Sequence, residues 1–497
     1  MTDILQMVGH ATLSESNDEE DQDTDEGAAK CVVFVQANRK EYFKKFLTEG
    51  LPVESRLNAV CQDFFNAEIV AKTIDDKQSA VDILTWTLLY RRLMMNPQVY
   101  NCQGKDMQHI GDWLSELVES TLNDLEGSKC IAIEDEMDVS PLNLGMVASF
   151  YNVSYVTIDV FNMSLKGRTK LKGLLEIVSS AAEFEDLPIR QHEEMILRRI
   201  YDRLPFKLDN INFYTPYHKV FVLLQAHFAR INLPIDLAHD QEWILKRILN
   251  LLSACVDVMS SNAQLNALIA MELSQMIVQA MWDKDSPLKQ VPHFTSETIA
   301  RCREKGIEES VYALGDILPD LSDDERNDLL RMNNRDMTDV ANFVNNYPYV
   351  EVAFEFEETE GLRASDSIIL DVKLSQDDED EEEEPDQDEH IIAPFYPLRK
   401  KYCSWWVIVG DSGSRNLLSI KKVILDSAKG KKSSFKLEFT LPKGKFEHLK
   451  LYVLADSYIG ADRELNLPSL DIAEGVDSDE DDDDDEEDDE DEEMDQS

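Results

Sequence analysis

Phosphoryl chemistry needs a ring of backbone N–H groups and a lysine around the phosphates, the G-x-x-x-x-G-K-[ST] pattern, and carboxylates to hold Mg²⁺. Neither that pattern nor a D-E-x-H box occurs in the 497 residues. The glycine-lysine pairs at Gly430-Lys431 and Gly444-Lys445 lack the upstream glycine and sit among expected strands, so they read as loop residues. The nine histidines are scattered, and no Ser, Cys or His combination has a spacing that suggests a catalytic group. Cys31, Cys61, Cys102, Cys130, Cys255, Cys302 and Cys403 are widely spaced with no C-x-x-C pair, which points to a reducing compartment and to no metal site. Two weaker signals remain. Lys166, Arg168, Lys170 and Lys172 could hold a nucleic-acid strand, although a solvated turn between helices explains them equally well. Ser478, followed directly by Asp479, Glu480 and Asp481, suits an acid-directed kinase, but phosphate there would add charge to an already saturated run.

Charge separates the folded parts from their appendages. The net charge is -50, and three runs, Glu15 to Glu26, Asp377 to Glu389 and Asp477 to Asp495, hold 36 of the 99 acidic residues, which leaves -14 for the remainder. Glu15 to Glu26 is expected to be disordered, because like charges repel and nothing apolar anchors it, Asp377 to Glu389 to be a solvated loop between two strands, and the tail to be disordered. Apolar residues make up 43% of the chain, enough for several cores. Asp3 stands where a signal peptide would need positive charge, and no stretch reaches about 18 uninterrupted apolar residues. A soluble protein of cytosol or nucleus is the expectation.

The elements follow from periodicity. Cys31 to Val35 reads as a buried strand feeding an aromatic and basic helix around Tyr42 to Leu47, like the edge of a parallel sheet. Apolar residues then fall at helical spacing in three stripes, through Leu57 to Phe64, Val81 to Leu88 and Leu114 to Leu125. Gly127 is placed for a left-handed C-cap, and a small hairpin over Cys130 to Val139 completes a winged helix. Its third helix carries Asp112, Glu116, Glu119, Asp124 and Glu126, whereas a phosphate-facing helix would be basic, so a rigid spacer is the favoured reading. Ser140-Pro141 marks a helix start, and helical patterns run over Val220 to Ile231, Gln241 to Met259 and Leu265 to Trp282. Ser322-Asp323-Asp324-Glu325 is a capping box, and Gly306 marks a turn between two short helices. Beyond Pro348 the period becomes two, and about seven short strands argue a β-sandwich.

At this point the order of parts resembles the end of the C-terminal cassette of the large spliceosomal DExH RNA helicases, including their translocon-like Brl module. The resemblance is carried by Phe65 to Val70, Leu84 to Thr87, Leu89 to Arg92, Glu134 to Met137, Pro141 to Gly145, Leu223 to His227, Gln279 to Trp282, Pro292 to Thr295 and Trp405 to Asp411. It implies a multi-domain, mainly α chain with a C-terminal β-sandwich. The implied parts are a remnant of a second RecA-like lobe over 1–50 with an acidic insert at 15–26, a winged helix over 51–139, and a helical bundle over 140–284. A helix-loop-helix segment over 285–346, an immunoglobulin-like or fibronectin-like sandwich over 347–472 with an acidic loop at 376–390, and a disordered acidic tail over 473–497 complete it.

The departures bear on chemistry. The family's last motor motif reads Q-x-x-G-R-A-x-R, whose arginines stabilise charge on the ATP phosphates. Gln6 and Gly9 match it, but His10 and Leu13 replace both arginines. The family also has Gly-Trp where this chain has Ala263-Gln264. Without a phosphate loop, ATP binding and turnover are not expected of this chain alone, and no cofactor is. The resemblance implies a non-catalytic docking body in the nucleus, whose partners are splicing-factor proteins of a small nuclear ribonucleoprotein, with weak RNA contact and no membrane. The alternative is an RNA-path element, or a fragment of a complete ATP-dependent RNA helicase.

Overall fold

The computed structural model describes residues 5–7, 9, 32–49, 53–358, 361–376, 390–398, 401–425 and 432–474. His10, Leu13, Ser478, the Gly430-Lys431 pair and the three acidic runs lie outside them. The chain divides into two compact units, one of residues 1–59 and 84–110, the other of residues 60–83 and 111–497.

In the first unit, α1 (Lys40–Glu49) forms where the aromatic and basic pattern predicts it, but the strand expected over Cys31 to Val35 does not. Residues 32–36 carry no strand pairing, and Val32 and Phe34 are 61% and 94% exposed. An edge strand is stable only against a neighbour, and none is present among the described residues. The same unit holds α4 (Leu88–Met95). Its Arg92 grips Glu54 through Nη2 at 2.6 Å and Nε at 3.1 Å, while Asn96 and Tyr100 donate to the same carboxylate. The Arg92 hydrogen bond, ahead of that from Asn96, holds the Glu54 carboxyl down at about 2.

The second unit opens with α2 (Cys61–Val70), α3 (Lys77–Thr85, whose last two residues fall to the first unit), α5 (Met107–Gly127) and the hairpin β1 (Ile131–Glu134) and β2 (Asp138–Pro141). Gly127 is the last helical residue, and the left-handed position is taken instead by Lys129 at φ 58°. Ser140 and Pro141 are not a helix start. They pair with Ala132 and Ile131, and the next helix, α6 (Asn143–Tyr151), begins after Leu142 N donates to Cys130 O. The hairpin register wins because a strand ladder satisfies backbone groups that a helix N-terminus leaves open.

The bundle continues with α7 (Tyr155–Ser164), α8 (Leu171–Ser179), α9 (Glu193–Tyr201), α10 (Pro216–Phe228), α11 (Ile235–Ser261) and α12 (Ala267–Gln279). Ten consecutive residues of α10, Lys219 to Phe228, are buried, so this helix is the bundle's axis. Burying Lys219 is tolerable because its ammonium bonds Asp240 at 2.7 Å, Glu193 at 2.8 Å and the Pro188 carbonyl at 2.8 Å. Four helices follow, α13 (Ser296–Glu304), α14 (Val311–Ile317), α15 (Asp323–Leu330) and α16 (Asn334–Asn345), with Gly306 at φ 78° after the first. The Ser322 capping box is formed: its hydroxyl accepts from Glu325 N, and the Glu325 carboxylate accepts from Ser322 N at 3.1 Å.

Two larger antiparallel sheets and one small one follow. One runs β3 (Glu351–Phe356), β4 (Ser367–Ser375), β7 (Lys432–Thr440). The other runs β10 (Arg463–Asn466), β9 (Leu449–Ala455), β5 (Ser404–Asp411), β6 (Asn416–Ile424). Their buried side chains, among them Leu370, Val372, Leu437, Trp405, Val407 and Val453, share one core. Gly444 and Lys445 prove to be strand rather than loop, in β8 (Gly444–Phe446), which pairs with β11 (Leu470–Ile472). Ala473, expected to begin a loose tail, is held by bonds to Leu362 and Ala364.

Candidate docking surfaces

Bundle and sandwich are joined by a ladder of buried glutamines. Gln275 and Gln279, one turn apart on α12, and Gln290 after it donate to the carbonyls of Ala455, Ser457 and Ile459, each at 2.7 Å. Alternate carbonyls of the segment 455–459, which leaves the end of the strand at Ala455, are thus read by three side chains that are 2–3% exposed. Gln275 also donates to both carboxylate oxygens of Asp462, at 2.9 and 3.1 Å, and Asp462 accepts from Ala455 N at 2.9 Å. Burial nevertheless pushes the Asp462 carboxyl up to about 6, with Gln275 acting in the opposite direction. Beside it, Lys401 bonds Asp456 at 2.7 Å.

This joint fixes the ends of β9 and β10, and with them a cleft of about 800 Å³ on the sandwich. One wall is the end of the first sheet, where Val352, Leu374 and Ser433 share a row and Glu351, Ser375 and Lys432 the next. The other wall is Arg463 and Leu465 of β10. The Arg463 guanidinium lies 4.9 Å from the ring centre of Tyr349 and 5.1 Å from that of Tyr312, contacts that hold it while leaving its donors usable. Both β3 and β10 are outer strands of their sheets. The cleft therefore combines two unpaired strand edges, an apolar floor and the cations Lys373, Lys432 and Arg463. Sequence reading missed it, since residues 351, 373, 432 and 463 meet only through the sheet register. The one local signal was an arginine at an inward position of an alternating strand.

The basic turn has a different neighbourhood. Lys166, Arg168 and Lys170 are exposed in the connection between α7 and α8, and Lys172 is half-buried in the first turn of α8. Asn266 Nδ2 donates to the Thr169 and Lys166 carbonyls at 3.0 and 3.3 Å. On the other side of the same segment, Leu265 N donates to Arg415 O and Leu417 N to Ala263 O, at the tip between β5 and β6. The structure thus adds Arg415, exposed and distant in sequence, to the four basic residues. The acidic residues of α5 are all exposed, as a solvent-facing helix requires.

Gln6 and Gly9 are helical, but the replaced positions beside them are not described. Where no metal set was expected, His293, Asp336 and Asp339 bring one ligand atom each within 4.8 Å of one another. His293 Nε2 already lies 2.9 Å from Asp339, and the group is largely exposed, so a hydrogen bond accounts for it.

Comparison with known proteins agrees with this architecture. Residues 141–468 match the family model of the Sec63 Brl domain, and residues 54–135 that of a winged helix-turn-helix domain. The human U5 small nuclear ribonucleoprotein 200 kDa helicase is 48% identical over 479 residues, which is 96% of this chain and 21% of that protein. The Arabidopsis thaliana DExH-box ATP-dependent RNA helicase DExH12 is 45% identical over 475 residues, 95% of this chain and 21% of that protein. The pre-mRNA-splicing factor brr2 of Schizosaccharomyces pombe is 42% identical over 466 residues, 93% of this chain and 20% of that protein. The chain spans about a fifth of the length of these relatives. With the model matched over some two thirds of its residues, the chain belongs to the Sec63 Brl domain family and carries a winged helix ahead of that domain.

Proposed function

We infer that this chain is a non-catalytic protein-docking module of pre-mRNA splicing, acting in the nucleus beside proteins of a small nuclear ribonucleoprotein. Its relatives include a helicase named for the U5 particle and a named splicing factor. The observation that carries docking is the cleft between two strand edges, because such edges are templates for another chain. Catalysis is not assigned to it: no phosphate loop or D-E-x-H box is in the sequence, and both motif arginines are replaced, at His10 and Leu13. The experiment is co-sedimentation of the purified chain with purified U5 small nuclear ribonucleoprotein, with ATP turnover measured in the presence of RNA. Comigration without turnover supports the reading, and ATP hydrolysis by the chain alone contradicts it.

A second reading, RNA contact, is favoured by one observation, the convergence of the 166–172 turn and Arg415 on residues 263–266. Five cations would neutralise few phosphates, so RNA affinity should fall with salt at a log-log slope of no more than about 3.5 for a single strand. A slope of four or more would favour RNA over docking.

A further inference from the structure

We propose that the cleft between β3 and β10 takes an extended, acidic peptide segment of a partner protein, which adds as a strand to the free edge of β3. This rests on the docking reading above and names its site. The edge is chemically open. Glu357 N donates to Ile369 O at 3.1 Å, which makes 357 and 369 a hydrogen-bonded pair. Counting back along the register, 355 with 371, 353 with 373 and 351 with 375 are pairs of the same kind. Val352 and Phe354 between them turn their N–H and C=O groups outward, and no strand among the described residues takes them. A peptide alongside the six residues of β3 would cover about 20 Å at ~3.4 Å per residue.

Side chains then select the occupant. Alternate residues of an added strand would lie on the inward side with Val352 and Leu465, so these should be apolar. The residues between them would face the outer side of the sheet, where Lys373 and Lys432 are set against only Glu351, while Arg463 stands on the inward side with Leu465. None of the three cations forms an ion pair among the described residues. On a chain of net charge -50, a local excess of positive charge marks an anionic partner. A nucleic acid would supply anions but no backbone ladder for the edge of β3, so the edge favours a peptide.

The test measures anisotropy of labelled eight-residue peptides on the intact chain: one alternating valine and glutamate, one with lysine for glutamate, one with the glutamate peptide's alternate amides N-methylated, and single-stranded RNA. Val352→Pro removes an outward N–H and leaves the β3–β4 ladder intact, and Lys373→Glu with Lys432→Glu reverses the rim. The glutamate peptide should bind, and each alteration should weaken it at least tenfold. Should Val352→Pro unfold the sandwich, the N-methylated peptide on the unaltered chain gives the same reading. Undiminished binding of the N-methylated or lysine peptide, or preference for RNA, overturns the proposal. Comigration with the ribonucleoprotein alongside failure of the glutamate peptide overturns the cleft assignment alone, and loss of both overturns the docking reading.

Discussion

Asn66 on α2 and Gly145 on α6 fit together without space for another atom. Asn66 Nδ2 donates to the Gly145 carbonyl at 3.0 Å, and a Cβ on Gly145 would stand 2.6 Å from Asn66 Oδ1 and 2.2 Å from the Cys130 carbonyl. Alanine normally strengthens a helix, yet here it would drive the hairpin off the bundle. Gly145→Ala should destabilise the protein by about 1–3 kcal/mol or more in denaturant unfolding.

The glutamine ladder predicts a second cost. In Gln279→Ala the Ser457 carbonyl keeps its burial and loses its donor, a change worth about 1–3 kcal/mol. Amide hydrogen exchange should report the loss around 455–459, and unchanged protection there would show that the ladder does not hold the sandwich.

Asp462 sets a pH dependence whose sign opposes that of most carboxylates. Its folded value, raised by burial to about 6, lies above the ordinary 3.8, so the folded state binds the proton more tightly. Its contribution to stability therefore rises as pH falls from about 6 towards 4, by on the order of 2–3 kcal/mol in all. Against Asp462→Asn, the wild type should gain relative stability over that window in urea titrations, and parallel curves would refute the assignment.

Much of this was legible where the physics is local. The Ser322 box needs only residues three apart, and the alternation at Val352, Phe354 and Phe356 needs only the pleat. What escaped depends on residues far apart. Gln275 and Gln279 read as polar positions on an apolar helix until Ala455 and Ser457 supply their acceptors. Ser140-Pro141 carries a genuine helix-start pattern that the ladder with Ile131 and Ala132 overrides. Val32 to Val35 has the composition of a strand but no neighbour among the described residues.

Ala263, where the resembling family has glycine, adopts φ 52°. A Cβ in that left-handed region costs roughly 1 kcal/mol, so Ala263→Gly should stabilise the protein by about that amount in thermal unfolding. A destabilised variant would show that the turn between α11 and α12 is held by side-chain contacts instead.

Docking is the claim on which the rest depends, and gradient sedimentation with purified U5 small nuclear ribonucleoprotein tests it directly. The chain should travel with the particle whether or not ATP or excess single-stranded RNA is added. Remaining at the top of the gradient, or leaving the particle when RNA is added, would contradict the account.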